Sequence, residues 1–124
     1  GLPNDTLQSM QNTLDFAMEN SHDMVNFYSA MAYPGSPLYI QAKKEGTELP
    51  SSYSGFSQHS YDTLNMSNEN LTSAQILAFR DMAWDRYHTN PKYLNQLEKN
   101  FGIAARKELE NTTKVKLKRK LLAD

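Results

Sequence analysis

The residues with chemistry to offer are few and scattered. His22, His59 and His88 stand far apart, with no pair one helical turn apart that could grip a metal. His59 is the most useful of the three. It sits in Gly55-Phe56-Ser57-Gln58-His59-Ser60-Tyr61, where an amide, an imidazole and a phenol could converge on a small ligand, or simply order a loop. The turn Gly1-Leu2-Pro3-Asn4-Asp5-Thr6 leads into a helix and could set backbone amides against an anion or a nucleotide-like ligand. Lys114, Lys116, Lys118, Arg119 and Lys120 could meet phosphates or an anionic surface. They also suit a solvated helix end, where cations complement the helix dipole. The net charge is −1, from 13 basic and 14 acidic residues, and no aromatics interleave the basic run. Both facts favour the solvated end, and no nucleic-acid partner is expected.

What the composition excludes is sharper. There is no cysteine among the 124 residues, so disulfides, thiolate zinc sites, a cysteine nucleophile and a cluster held by this chain are all ruled out. No apolar run is long enough to span a membrane. The opening residues lack a basic and an apolar region, so no secretory signal is read and a cytoplasmic location is expected. Four Asn-X-Ser/Thr matches, at Asn4, Asn65, Asn70 and Asn111, are then read as chance. The length suits one domain or a piece of a larger one. The absence of an initiating Met points to the piece.

The elements that must position these residues follow from spacing. Leu7, Met10, Leu14, Ala17 and Met18 give one apolar stripe, so a helix is expected from about Thr6 to Glu19, with Asp5 as cap and Gln8 three residues on. Met24-Val25-Asn26-Phe27-Tyr28-Ser29 reads as a buried strand. Ser36 and Pro37 start a helix that Gly46 closes after Glu45. Residues 47–60 form a long loop rich in Ser, Gly and Pro, and 61–66 alternates weakly as a short strand. Thr72 with Gln75 is a capping box for a helix whose face is Ile76, Phe79, Ala83 and Tyr87. Asn90-Pro91 starts another, with Tyr93, Leu94, Leu97 and Phe101 inward and Gly102 at its end. A last helix from about Ile103 carries Leu109, Thr113, Leu117 and Leu121 at four-residue steps.

Two turns then carry a resemblance. Gly1-Leu2-Pro3-Asn4-Asp5-Thr6 and Ala32-Tyr33-Pro34-Gly35-Ser36-Pro37-Leu38-Tyr39, separated by a helix and a strand, resemble the later part of the catalytic barrel of radical S-adenosylmethionine (SAM) enzymes. More narrowly, they are similar to the branch with a cobalamin-binding domain. The segments GFSQHSY, FRDMAWDRYHTNPKYL and KLKRKLL are similar to members of that branch as well. The resemblance implies an α+β, mostly helical fragment of a partial (β/α) barrel, with about four to five helices and one or two short strands. Residues 1–46 would end the barrel, 47–70 would be an ordered loop or short strand, and 71–124 a C-terminal helical extension.

The resemblance also implies roles. Gly1, Pro3 and Asp5 match the motif that helps hold SAM, with Asp5 where the family usually has Glu and Asn4 where it has Gly. Ser29, Met31, Ala32 and Tyr33 follow the strand and would line the adenine pocket. Gln58, His59 and Tyr61 would face the substrate. The full-length parent would use a four-iron four-sulfur cluster, SAM and cobalamin, and act on a small molecule, for instance as a methyltransferase. This chain alone would bind none of these cofactors and catalyse nothing. Its partners would be the rest of its own enzyme and, through exposed strand edges, other copies of itself. Two rival readings stand beside this one: a stand-alone helical interaction module, and a SAM-binding protein without radical chemistry.

Overall fold

The computed structural model describes residues 1–124. Five α-helices follow in order: α1 (Leu7–Asn20), α2 (Pro37–Glu45), α3 (Ser73–His88), α4 (Pro91–Phe101) and α5 (Ile103–Thr112). Short 3-10 helices lie at Tyr53–Phe56 and Lys120–Leu122. There is no strand and no sheet, so the α+β partial barrel expected from the turns is corrected to an all-helical fold.

The helix ends show why the helices form. Thr6, not Asp5, caps α1, and its box partner is Ser9, not Gln8. Asp5 instead accepts from Leu2 N–H at 2.7 Å and so closes the preceding turn. Ser36 caps α2 with Pro37 at the first helical position, and Gly46 ends it at φ +69°. Thr72 and Gln75 form the expected box on α3, and Asn90 caps α4.

α3 is the central element. It packs on α1, on α4 and on the 3-10 turn at Lys120–Leu122, while α4 packs on α5. Met10, Leu71 and Ile76 form a small apolar core with Phe79 beside it. Of 22 buried residues nine are polar or charged, so hydrogen bonds from buried side chains do much of the holding. Phe101, expected inward, is exposed.

Residues 24–29 are the expected strand; they lie in a stretch, 22–33, that pairs with no strand. Their exposure alternates, with Met24 90% and Tyr28 64% exposed. On one side their carbonyls accept from side chains. Tyr87 and Tyr93 hydroxyls donate to His22 and Asp23 at 2.6 and 2.8 Å. Arg80 Nε donates to Phe27 at 2.8 Å and Gln58 Nε2 to Ser29 at 3.0 Å. His88 Nε2 lies 3.2 Å from the Val25 oxygen. Side chains thus occupy positions where a neighbouring strand's N–H groups would sit. The one backbone bond this stretch makes to a distant segment is Met66 N–H to Ala30 O at 3.0 Å. Residues 61–66 form no strand either: their backbone bonds to other segments are isolated, Leu64 N–H to Gly55 O, Met66 N–H to Ala30 O and Lys120 N–H to Tyr61 O, and make no ladder.

The last expected helix is corrected too. α5 stops at Thr112, and residues 113–119 run without helix. Asn111, Thr112 and Thr113 are weak helix formers. Leaving the helix lets Arg119 reach α3, where it is 0% exposed.

Candidate functional site

Three of the expected SAM residues meet. Gly1, Asp5 and Ser29 line one cavity of about 220 Å³, between α1, α3 and the 27–29 segment. The walls are mostly apolar, among them Met10, Leu14, Phe27, Ile76 and Phe79. A Cβ on residue 1 would stand 2.6 Å from Ile76 Cγ2, so the buried Ile76 side chain would have to shift to admit one. Asp5 accepts from Ser9 Oγ and from Leu2 N–H, both at 2.7 Å. The Ser9 bond, ahead of a small opposing burial cost, keeps its carboxyl below the usual aspartate value.

The other expected SAM residues lie elsewhere. Pro3 is exposed. Met31 and Ala32 are buried but do not line this cavity. Tyr33 is about half exposed, with its ring 6.4 Å from that of Phe56.

The substrate-side trio separates. Gln58 is buried and clamps Ser29. Its Oε1 accepts from Ser29 N–H at 3.2 Å and from Ser29 Oγ at 2.9 Å, while its Nε2 donates to Ser29 O. It therefore braces the first cavity and has little left for a ligand. His59 is exposed and lines a second, larger cavity of about 570 Å³, which also holds Trp84, Asp85, Lys116 and Leu122. That volume lies within the range of small-molecule sites. Tyr61 is exposed, and its carbonyl accepts from Lys120 N–H at 2.9 Å.

Of the residues that join these regions, Arg80 was passed over, and Arg119, expected at a solvated helix end, is instead fully buried. Arg119 Nε and Nη2 both meet the Asp81 carboxylate, at 2.9 and 2.8 Å. Its guanidinium also donates to the Ser60 and Gln58 carbonyls. Arg80, only 6% exposed, lines both cavities and donates to Asp81 as well, at 2.8 Å. Burial pushes the Asp81 carboxyl up, but the hydrogen bonds and charges of the two arginines outweigh it and hold it low. A signal for Arg80 was present in the sequence. It falls on the stripe Ile76, Ala83, Tyr87, where a lone cation on an apolar face asks for a partner.

Burial also acts on α3's far end. It lowers the His88 imidazole, against the opposing pull of the Trp84 and Val25 carbonyls. It raises Tyr93 and pushes Tyr87 up to about 12, helped by Tyr93 and Asp23. These phenols stay protonated donors at any physiological pH.

The iron–sulfur and metal-binding character that the resemblance carries is corrected here. The chain has no cysteine, and no group of three His, Cys, Asp or Glu residues could hold a metal ion. No helix is long and apolar enough to cross a membrane. Compared with protein-family models, curated proteins and solved structures, the chain matches none.

Proposed function

We propose that this chain is the C-terminal part of a cobalamin-dependent radical SAM enzyme, where it closes one side of the SAM site and presents a helical, substrate-side extension. The observation that carries the reading is the meeting of Gly1, Asp5 and Ser29 at one cavity. They come from two sequence motifs, and nothing in helix packing alone requires them to meet. SAM would supply the radical chemistry, and cobalamin would be held by the rest of the enzyme. This chain's own part is to shape and dry the pocket: apolar walls exclude water, and Gln58 fixes Ser29 in place.

The test uses the product of the complete reading frame, reduced anaerobically with isotope-labelled SAM. Labelled 5′-deoxyadenosine is expected, and its absence overturns the reading.

A second reading, a stand-alone helical interaction module, is favoured by the lack of any sheet. Solution behaviour separates the two. A module unfolds cooperatively as a monomer or closed dimer. A piece with an unfilled backbone edge at residues 24–28 associates open-endedly.

A further inference from the structure

The extended stretch beside α3 has two edges, and only one is occupied. The carbonyls of Asp23, Val25, Phe27 and Ser29 are all met by side chains, and the Phe27 and Ser29 N–H groups donate to the side-chain oxygens of Asn26 and Gln58. The alternate residues behave otherwise. Ala30 O accepts from Met66 N–H, but the N–H and C=O of Met24, Asn26 and Tyr28 meet no partner within the chain. In extended backbone the N–H and C=O of one residue point to the same edge, and those of its neighbours to the opposite edge. The unmet groups therefore form one open row, on the edge away from the occupied one. Met24 and Tyr28, 90% and 64% exposed, stand along it.

Nothing guards this row. Proteins blunt open edges with charge or proline, and Met24-Val25-Asn26-Phe27-Tyr28-Ser29-Ala30 carries neither. The row is also its own complement. A second copy laid antiparallel, with Asn26 opposite Asn26, sets Met24 of each copy opposite Tyr28 of the other. Opposed residues of a hydrogen-bonded pair exchange both bonds, so every open N–H and C=O in the row is answered. The same register lays each exposed thioether against an exposed phenol, a favourable cross-strand contact. From this we infer that residues 24–28 are a dimerisation edge, at which a second copy of this chain adds as an antiparallel strand across a two-fold axis at Asn26. Side chains already occupy the opposite edge, so no third copy can add there and the assembly closes at two. The inference rests on the interaction-module reading and specifies its closed dimer.

The test exploits the absence of cysteine. Sedimentation equilibrium of the unaltered chain is expected to give a dimer. Asn26→Cys and Met24→Cys are then oxidised side by side in a glutathione buffer and read on non-reducing gels. In the inferred register the two copies of residue 26 have Cα atoms about 5.5 Å apart, within disulfide reach. The two copies of residue 24 lie about 13 Å apart along the strands. Asn26→Cys should therefore cross-link about tenfold or more faster than Met24→Cys, although position 24 is 90% exposed and freer to collide. Asn26→Lys, at an exposed position, sets two like charges opposite each other and should return a monomer of unchanged helix content. Cross-linking no faster at 26 than at 24 overturns the inference, as does a dimer that survives Asn26→Lys. A monomeric unaltered chain that unfolds cooperatively overturns it too, leaving the module reading in place and the edge to a foreign extended segment. Open-ended association overturns both.

Discussion

Two stretches without helix are held to α3 in opposite ways. Residues 22–29 are pinned at many points, with a hydroxyl, imidazole, guanidinium or amide at almost every inward carbonyl. The tail after Thr112 hangs chiefly on one fully buried guanidinium, that of Arg119. Many modest bonds share a load, and losing one leaves the rest in place. A single buried guanidinium concentrates it, because its loss removes every one of those contacts at once and leaves Asp81 with Arg80 alone.

Arg119→Met should break the contrast open most forcefully. It removes one of the two arginine partners of Asp81, with two ionic hydrogen bonds, and leaves two carbonyls unanswered, so a loss of about 3 kcal/mol or more in urea unfolding is expected. Amide exchange at 114–122 should rise together with it. An unchanged midpoint would make the tail a passive passenger. Tyr87→Phe, by contrast, removes one hydroxyl from the 22–29 attachment and should cost about 1–2 kcal/mol. If it costs as much as the arginine, the load is not shared.

The pH profile sharpens the same comparison. His88 binds its proton less readily folded than unfolded, so the unfolded chain carries more protons in acid. The stability that His88 contributes is full above its ordinary value of 6.5 and declines as pH falls through it. Thermal midpoints should therefore drop between pH 7.5 and 5.5, and His88→Gln should flatten that drop. The lowered Asp5 and Asp81 carboxyls contribute above their ordinary value of 3.8 and lose that contribution only as pH falls below it. The smallest effect is reserved for Lys116→Ala. Its pair with Asp85 is largely solvent-exposed, so a change within about 0.5 kcal/mol is expected, and added salt should shrink it further. A larger loss would give the tail a second anchor.

Helices were legible because their signals are local. The Ser36-Pro37 start, the Gly46 stop, the Thr72–Gln75 box and the Asn90-Pro91 start all lie within a few residues of what they control. Strands were misread because a strand needs a partner. Met24–Ser29 has the right residues and the right alternation, but His88 and Arg80 of α3, with Gln58, take its inward carbonyls. The final helix failed likewise: Leu109, Thr113, Leu117 and Leu121 keep helical spacing, yet the ion pair of Arg119 with Asp81 lies 38 residues away in sequence and outweighs it.

The candidate site divides along the same line. Sequence alone determined that no thiolate chemistry is possible here and that the Gly1–Asp5 turn leads into a helix. Tertiary structure alone decided that Gly1, Asp5 and Ser29 share a cavity, that Gln58 is a brace for Ser29, and that Arg80 has a donor left over. The reason is physical. Caps, turns and periodicity are interactions between neighbours along the chain. Which buried donor finds an acceptor depends on residues tens of positions apart, and is settled only when the helices pack.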